Sequence, residues 1–312
     1  MQKYFKAYKW SNIFAMLRNQ RRKPAFCSDH FDDRLVVITG ATSGIGRATA
    51  MKYASMGANI LCINRNTQKS EDLCKSIKRE FDIDCSYIIA DFSKLADIHA
   101  AGTKLAAMDR NIDVIIHNAG VFVTKRTLTN DKLEKVFQTN YLSTFILNHH
   151  VLHKLKKQGS GRIIYVNSEA HRFAVWGLRM DDLRWEKRQY SGLKSYGAAK
   201  AAQLLSLLKF NELLQGSGVT INAMHPGNVK TNSGQNNGRV YKFFKKTFVD
   251  RSAMSVDVSA EALYYLGVSD QLAGVSGKFF NLTTEEEPAP PVLDKQAAEQ
   301  LWVVSKTLGG LD

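Results

Sequence analysis

One pattern repeats between residues 35 and 281, in which a short apolar run rich in β-branched residues precedes a longer stretch of helical character. The runs are LVVIT (35–39), ANILCI (58–63), SYIIA (86–90), DVIIH (113–117), RIIYVN (162–167), VTINAM (219–224) and KFFN (278–281). Strands that are apolar throughout are buried on both faces, which is typical of a parallel sheet covered by helices. The pattern therefore predicts an α/β fold with a doubly wound parallel sheet of about seven strands and helices on both faces.

The sequence gives no sign of a second domain. No internal repeat, low-complexity linker or change of composition interrupts the 312 residues, of which 44% are hydrophobic and 23% charged, so the chain is neither disordered nor fibrous. We therefore expect a single domain over residues 31–312. A proline-containing loop at 288–291 precedes the last predicted helix, at about 294–307.

A basic tail over residues 1–30 precedes this domain. Residues 1–28 contain no Asp or Glu, and they carry half of the net charge of +14 through Lys3, Lys6, Lys9, Arg18, Arg21, Arg22 and Lys23. Apolar residues in the tail follow helical spacing, namely Trp10, Ile13, Phe14 and Leu17. Residues 1–26 thus fit an amphipathic helix on an anionic membrane surface, and folding of the tail against its own domain or a partner subunit fits equally well. Nucleic-acid binding is not expected, because no reader motif is recognisable.

Other targeting and metal signals are weak. No apolar stretch reaches the ~18–20 residues of a membrane-spanning helix, and no secretory signal is recognisable. The four cysteines have no paired spacing, which argues against a disulfide framework or thiolate zinc site and favours a reducing compartment. We expect a cytoplasmic protein or one on the cytosolic face of a membrane. His149 and His153 lack the intervening Glu of a zinc motif, so no metal is expected.

A glycine-rich turn with the spacing G-x-x-x-G-x-G follows the first predicted strand. The candidate binding residues in it are Gly40, Thr42, Ser43, Gly44, Ile45 and Gly46, and a helix follows at once. Glycines let the backbone turn tightly and approach a pyrophosphate, which the unpaired N–H groups and positive dipole end of the helix would hold. The turn therefore predicts a dinucleotide site, although a tight strand-to-helix turn without a ligand would also explain the spacing.

The end of the second predicted strand indicates which dinucleotide binds. An NAD site usually has an acidic residue there for the ribose 2′-hydroxyl, whereas this chain has Asn64-Arg65. The planar Arg65 guanidinium matches a 2′-phosphate, although it would also be ordinary as a solvated surface residue. NADP(H) is therefore favoured as the cofactor over NAD(H).

Two further segments follow strands at the same predicted edge of the sheet. Asp91 and Phe92 come just after the third strand, where they are placed to meet the adenine of the cofactor. Asn118, Ala119 and Gly120 follow the fourth strand, and their small side chains let the backbone come close to the cofactor. Each segment is weak evidence alone and gains weight from its order along the sheet.

The strongest chemical signal is the run YGAAK from Tyr196 to Lys200, near the start of a predicted helix that extends to about residue 215. These two side chains share a helical face, and Ser168 closes the fifth strand upstream. A free phenol has a pKa near ~10, but a lysine ammonium and an oxidised nicotinamide beside it would favour the phenolate. Tyr196 would then exchange a proton with a carbonyl or alcohol oxygen, Ser168 would hydrogen-bond that oxygen, and Lys200 would orient the ribose. Alone, a Y-x-x-x-K pair is common on helix surfaces.

Taken in order, these motifs resemble the short-chain dehydrogenase/reductase family over about residues 33–310. The matching positions are the glycine turn, Asp91, Asn118-Ala119-Gly120, Asn140, Ser168, Tyr196, Lys200, and His225-Pro226-Gly227 followed by Thr231. The resemblance implies a single Rossmann-like domain, a nicotinamide cofactor and a Ser-Tyr-Lys site. It implies that Asn140 holds a water for a proton relay through Lys200. It also implies that four residues after the sixth strand border the nicotinamide: Pro226, Gly227, Val229 and Thr231.

Within the family the chain is most similar to the retinol-dehydrogenase-like group, on the segments EAH at 169–171 and DDL at 181–183. This resemblance implies a lipophilic alcohol, aldehyde or ketone of retinoid, steroid or polyprenoid type as substrate, and a homo-oligomer. We expect an apolar wall for the substrate from Trp176, Leu178, Met180, Trp185 and Tyr190, or else internal packing of those residues. Residues 232–256 fit either a substrate lid or a plain helical hairpin.

Two positions depart from the family pattern. His117 stands where an Asn often precedes Asn118, and Ser143 stands where a Gly is common.

Two other functions compete with an oxidoreductase. A nucleotide-sensing or scaffold protein would keep the cofactor site without turnover, but a pure binder does not need all four groups of the predicted catalytic set. The other alternative, a protein that interacts with a membrane surface, is supported by the tail alone.

Overall fold

The computed structural model describes residues 3–8, 18–19, 22–228 and 254–311. A single sheet runs through these residues in the order β3-β2-β1-β4-β5-β6-β7-β8. Its strands are β1 (Leu35–Thr39), β2 (Asn59–Asn64), β3 (Cys85–Ile89), β4 (Val114–His117), β5 (Gly161–Val166), β6 (Val219–His225), β7 (Phe279–Asn281) and β8 (Thr284–Glu285). All neighbouring pairs are parallel except β7 and β8.

Helices connect the strands and cover the sheet. They are α1 (Gly44–Ser55), α2 (Thr67–Phe81), α3 (Leu95–Ala106), α4 (Ser143–Gln158), α5 (Gly192–Leu214), α6 (Val256–Val268) and α7 (Lys295–Gly309). A short helical segment at Lys135–Phe137 and a π-helical turn at Gln138–Leu142 lead directly into α4. The last helix matches the predicted one within two residues at each end.

The prediction of an α/β fold with a doubly wound sheet is confirmed, with two differences at the sheet edges. The two-residue strand β8, which forms a hairpin with β7, was not predicted, because so short a segment has no periodicity. Strand β3 is an edge strand, and its residues are only partly buried. The strand order reverses between β1 and β4, which places a crevice for ligands at their carboxyl ends.

Two hydrophobic layers bury the opposite faces of the sheet. Alternate residues of β1 show the division, since Val37 belongs to the layer under α3, α4, α5 and α7, whereas Val36 belongs to the layer under α1 and α6. In the second layer the buried Tyr53 ring packs edge-on against Tyr264 at 4.9 Å, and its hydroxyl donates to Leu263 O at 3.0 Å. These contacts hold the C-terminal part of α1 against α6.

The described residues of the tail contact the domain. Lys3 Nζ and Tyr4 Oη each lie 2.6 Å from Asp294, which caps the N-terminus of α7. Tyr8 donates to Val175 O at 3.2 Å, and Asn19 donates to the buried Glu286 at 3.0 Å. The predicted amphipathic stretch with Trp10, Ile13, Phe14 and Leu17 lies outside the described residues. Within the described ranges, no helix is both long and apolar enough to cross a bilayer.

Candidate functional site

The glycine turn packs too closely for larger side chains. A Cβ added to Gly46 would lie 2.3 Å from Gly40 O and 2.4 Å from Asn118 Nδ2, and one added to Gly40 would lie 2.9 Å from the Ala119 backbone. Gly40 also has a φ of +70°, which favours glycine. The turn after β1 therefore lies directly against the segment after β4.

The N-terminus of α1 is open to an anion. Ser43 precedes the helix with an extended backbone, and its side chain makes no capping hydrogen bond to the described residues. A Cβ built on Gly44, whose φ is +54°, would meet no described atom within 4 Å. There is therefore space beside Gly44 at the positive end of the helix dipole, an environment that fits a pyrophosphate. Thr42 and Ile45 flank this point.

Hydrogen bonds of three polar side chains fix the shape of the turn, and one of them, Thr39, was not singled out from the sequence. Thr39 Oγ1 accepts hydrogen bonds from the backbone N–H groups of Asn118 and Ala119, both at 3.0 Å. The Asn118 side chain donates to Thr39 O and Gly40 O at 3.1 and 3.0 Å. Asn64, which is buried, accepts from Ala41 N at 2.7 Å. Asn64 therefore supports the turn instead of facing the ribose.

Arg65 and Asp91 are neighbours after strands β2 and β3, where the sequence predicts the adenosine part of the cofactor. Burial opposes ionisation of Asp91, but hydrogen bonds from Ser93 and the charges of Arg65 and Lys94 hold the pKa of Asp91 below its ordinary value. Arg65 itself is exposed. Phe92, by contrast, is only 7% exposed and its ring packs in the core, so the structure places this side chain away from the open crevice.

A basic groove, which we call the α1–α2 groove, adjoins the glycine turn. Its volume is about 470 Å³ and it is lined by Thr42, Arg47, Lys69, Asp72, Leu73, Lys75, Ser76 and Arg79. Four of these side chains are cationic and one is acidic. The surface beside the predicted ribose site therefore has a positive potential, which favours a phosphate group.

Helix α5 brings the predicted Tyr-Lys pair to the carboxyl end of β5. Lys200 is 4% exposed, and its Nζ donates to Val166 O at 2.7 Å and to Gln203 Oε1 at 3.1 Å. Burial lowers the pKa of Lys200 to about 7. The ammonium lies 5.7 Å from the centre of the half-buried Tyr196 ring, so the predicted pair does share one face of the helix.

Ser168 stands beside this pair at the end of β5. Its Oγ accepts from Ala170 N at 3.1 Å, and its main-chain N–H donates to Asn167 Oδ1 at 2.8 Å. Asn167 Nδ2 in turn donates to Lys200 O at 3.0 Å, which ties the strand end to α5. Asn167, a residue that sequence reasoning had not singled out, therefore ties the main chain of Ser168 to the helix that carries Tyr196 and Lys200.

His171 holds Ser168 from the other side. Its Nδ1 lies 2.8 Å from Ser168 O, an acceptor, and its Nε2 lies 3.1 Å from the Ala289 N–H, a donor. These partners require a neutral ring with the proton on Nδ1. Burial and the nearby Arg172 charge lower the pKa of His171 to about 3, which agrees with that assignment.

Asn140 lies in the π-helical turn before α4 and is fully buried. Its side chain accepts from Val121 N at 2.7 Å and donates to Val121 O at 2.9 Å, so it clamps the segment after Gly120. Its main-chain carbonyl accepts from Gln203 Nε2 at 2.8 Å. A π-turn is rare and often marks a functional site, because it alters which carbonyls are used within the helix.

The residues after β6 are only partly described. Pro226 is buried and its carbonyl accepts from Ser259 at 2.6 Å, while Gly227 has a φ of +77°. They lie at the carboxyl end of the sheet, as expected for residues that border a nicotinamide. Val229, Thr231 and nearly all of the predicted lid at 232–256 lie outside the described residues.

The segment between Ser168 and α5 is largely packed against itself. Trp185 is buried, and its ring contacts Tyr190 at 5.4 Å and the Arg188 guanidinium at 3.7 Å. Tyr190 also donates to the buried Glu134 at 3.1 Å. Trp185 and Tyr190 therefore follow the internal-packing alternative, whereas Trp176 is 52% exposed and remains available as an apolar surface.

The two departures from the family pattern are accommodated by local hydrogen bonds. Ser143 Oγ donates to Thr139 O at 2.7 Å at the end of the π-turn. His117 Nε2 lies 2.7 Å from Asn148 Oδ1, and burial lowers the pKa of His117 to about 4. Neither residue occupies the space of a predicted reacting group.

The buried His117 makes stability depend on pH. Because its folded-state pKa lies below the ordinary value of 6.5, its contribution is complete above pH 6.5 and is lost as the pH falls towards 4. His117→Gln keeps a donor for Asn148 but has no group that titrates in this window. We therefore expect the free energy of unfolding of this variant to fall less steeply with decreasing pH, by about 1.4 kcal/mol per pH unit. Urea denaturation between pH 7 and ~4 measures this slope. An equal change in His30→Gln, where the side chain is 70% exposed, would contradict the assignment.

Two other histidines, His150 beside His149 on α4 and His99 on α3, form a hydrogen-bonded pair. His150 Nε2 lies 2.9 Å from His99 Nδ1, and His99 Nε2 lies 2.7 Å from Gly309 O. In the part of the chain that the structure describes, no group of three His, Cys, Asp or Glu side chains is arranged to hold a metal ion.

Comparisons of the sequence and of the structure find related proteins. Residues 34–179 match the family model described as short chain dehydrogenase. Human retinol dehydrogenase 13 is 34% identical over 286 residues, with 89% of this chain and 85% of that protein covered. A crystal structure of an uncharacterised Mycobacterium paratuberculosis protein is 27% identical, with a TM-score of 0.71 over 90% of this chain and 95% of that one. A Beutenbergia cavernae structure, described as an NAD(P)-dependent gluconate 5-dehydrogenase with bound NADP, has a TM-score of 0.65 at 22% identity, covering 85% and 99% of the two chains.

Proposed function

Since this chain belongs to the short-chain dehydrogenase/reductase family and is similar there to the retinol dehydrogenases, we propose that it is an NADP(H)-dependent oxidoreductase acting on a lipophilic alcohol, aldehyde or ketone. The observation that carries this proposal is the position of the buried Lys200 beside the Tyr196 ring at the carboxyl end of β5, with Asn167 tying the Ser168 main chain to the same helix. The α1 N-terminus, which Ser43 does not cap, supports a cofactor site. A nucleotide-sensing protein would need only the cofactor site.

The chain's own residues supply proton transfer and orientation at this site. A bound nicotinamide would donate hydride to a carbonyl carbon, or accept it from an alcohol carbon. In the reductive direction the Tyr196 hydroxyl gives its proton to the carbonyl oxygen, while Ser168 donates a hydrogen bond to that oxygen. The Lys200 ammonium stabilises the resulting phenolate and, by the family resemblance, orients the ribose. Oxidation reverses these proton transfers.

Two observations support a lipophilic substrate. Human retinol dehydrogenase 13, by its name, acts on a lipophilic alcohol. In this chain Phe173, Val175 and Trp176 lie exposed in the segment that follows Ser168, with exposed fractions of 51%, 39% and 52%. Exposed apolar side chains beside a polar catalytic group suit a substrate with a long apolar body. Assays of the full chain with NADPH and retinal, steroid ketones, polyprenals or small aldehydes test this proposal. If the protein turns over none of these compounds, the proposal is refuted.

The preference for NADP(H) is proposed from Arg65 and the α1–α2 groove. A hydrogen bond to a charged group contributes about 1.5–3 kcal/mol, so we expect Arg65→Ala to weaken NADPH binding by roughly 10- to 100-fold. NADH lacks the 2′-phosphate and should lose less than about 3-fold. Dissociation constants of both cofactors from fluorescence titration measure the difference.

Arg79→Ala is the matched control for Arg65, because it removes the same charge from the α1–α2 groove at another position. We expect it to weaken NADPH less than Arg65→Ala does. Equal losses for the two cofactors in Arg65→Ala, or equal losses of NADPH in the two variants, would contradict a direct contact with the 2′-phosphate.

The membrane-surface contact through residues 1–26 and a homo-oligomer stay predictions. The described tail residues contact the domain at Asp294, Val175 and Glu286, which adds support for the alternative of a tail folded onto its own domain. Because residues 9–17 lie outside the described residues, the amphipathic stretch itself has no structural test. A location in the cytoplasm or on the cytosolic face of a membrane is likewise a prediction.

A further inference from the structure

Gln203 lies one turn after Lys200 on α5 and connects the parts of the candidate site. It is 1% exposed. Its Oε1 accepts from Lys200 Nζ at 3.1 Å and from Asn167 Nδ2 at 3.0 Å. Its Nε2 donates to Asn140 O at 2.8 Å and, more weakly, to Thr144 Oγ1 at 3.5 Å. One amide thus joins Lys200, the strand end that carries Ser168, and the π-turn.

The chemistry of the partners fixes the orientation of this amide. Lys200 Nζ can only donate, so it must face the amide oxygen, and the Asn140 main-chain carbonyl can only accept, so it must face the amide nitrogen. Exchanging the oxygen and nitrogen of Gln203 would place like groups together at both ends. Gln203 is therefore a fixed acceptor for the lysine and a fixed donor to the π-turn.

The lysine depends on this acceptor because its surroundings are neutral. Among residues 22–228 and 254–311, no carboxylate pairs with Lys200, and the hydrogen bonds described for Nζ go to Val166 O and Gln203 Oε1. Burial is the cause that lowers the pKa of Lys200 to about 7. A buried cation that loses one of two acceptors becomes less stable in its charged form.

We propose that Gln203 is a positioning residue for the proton transfer, which holds the Lys200 ammonium beneath Tyr196 and ties its position to the main-chain carbonyl of Asn140. This inference rests on the proposed function and adds to it a residue that touches neither substrate nor cofactor. Gln203 acts through Lys200, because a charge stabilises the Tyr196 phenolate only while it is both present and close to the ring.

Two substitutions of Gln203 test this role, one by removing the acceptor and the other by adding a negative charge. Gln203→Met keeps the volume and removes the acceptor, so the lysine is more readily neutral and the phenolate loses its stabilisation. Gln203→Glu keeps an acceptor but adds a negative charge, which offsets the ammonium. Both changes should make Tyr196 harder to ionise, by at least about one pH unit in its titration midpoint.

The midpoint is measured without any substrate. Absorbance at 295 nm is followed against pH for the full chain, and the titration of the same protein with Tyr196→Phe is subtracted, so that the remaining signal belongs to Tyr196. The comparison is repeated with Gln203→Met and Gln203→Glu, each in the presence and absence of Tyr196→Phe. Ser206→Ala is the matched control, because Ser206 donates to Gln203 O from the same helix, and its loss removes a buried hydrogen bond without touching Lys200.

The outcomes separate this inference from the proposed function. A wild-type midpoint near the ordinary ~10 would overturn the role of Gln203, since the lysine would then not act on the phenol, whereas the proposed function is tested separately by the substrate assays and by Tyr196→Phe. A lowered wild-type midpoint that is unchanged in both Gln203 variants would overturn the role of Gln203 alone. A shift in Ser206→Ala as large as in the Gln203 variants would also overturn it. If either Gln203 variant fails to fold, Gln203→Asn replaces it, because the shorter amide cannot reach Lys200 and Asn140 together, and its midpoint should rise as well.

Discussion

Replacing Tyr196 by Phe is expected to reduce turnover by about 10³-fold, within the range of ~10²–10⁴ that general acid–base groups contribute. The phenyl ring keeps its edge-on contact with Phe122, whose ring centre lies 5.8 Å away, so the pocket should retain its shape. What is lost is the hydroxyl that exchanges the proton. The NADPH dissociation constant should change by less than about 3-fold, because the open helix end and Arg65 are untouched.

The effect of Tyr196→Phe is measured from kcat and kcat/KM with a lipophilic carbonyl substrate found in the NADPH assay. Tyr87→Phe is the control, since it also removes a hydroxyl, one that contacts Glu71 at 3.2 Å far from the site, and should leave turnover unchanged. Turnover of Tyr196→Phe within a few-fold of wild type would remove Tyr196 from the proton transfer and leave the nucleotide-sensing alternative as the better reading.

The second large effect is expected from Gly46→Ala. The added Cβ would meet Gly40 O at 2.3 Å and Asn118 Nδ2 at 2.4 Å, and neither atom belongs to a flexible side-chain end that can move away cheaply. The turn must shift, at a cost in stability of about 1–3 kcal/mol for overpacking. Because the same turn is proposed to hold the pyrophosphate, we expect NADPH to bind roughly 100-fold more weakly, which corresponds to about 2.7 kcal/mol.

Fluorescence titration of NADPH and thermal unfolding of the free protein measure the two parts of this effect. Gly310→Ala is the control, because Gly310 has a φ of +61° and a Cβ there would meet no described atom within 4 Å. It should lower stability through backbone strain but leave the NADPH affinity unchanged. Unchanged NADPH binding by Gly46→Ala would show that the turn does not carry the pyrophosphate.

The strands and the glycine turn could be predicted because their signals are local. Continuous apolar runs identified β1 at its observed ends and the other six predicted strands within one residue at each end. The spacing of Gly40, Gly44 and Gly46 predicted a tight turn, and Gly40 and Gly44 have the positive φ that such a turn uses. The Tyr196–Lys200 pair could be predicted because residues four apart share a helical face. Each of these inferences needs only the geometry of one element or one turn.

The supporting contacts could not be predicted, because they join residues that are far apart in sequence. Gln203 and Asn167 carry no motif, and their roles depend on how α5 packs against β5 and the π-turn. The spacing of the cysteines likewise did not predict that the free thiols of Cys74 on α2 and Cys85 on β3 lie 2.7 Å apart. Such pairs are set by tertiary packing, which the order of residues does not reveal.

The pairing of α1 with α6 has a consequence for the folding of this protein during its synthesis on the ribosome. Tyr53 is synthesised long before Leu263 and Tyr264, the residues that cover it. Until those residues leave the exit tunnel, one apolar face of the nascent β1–β4 region stays uncovered and prone to aggregate. A chaperone that shields apolar surface during translation is therefore expected to raise the yield of folded chain, and a stall before residue 256 should leave a product that is soluble only while shielded.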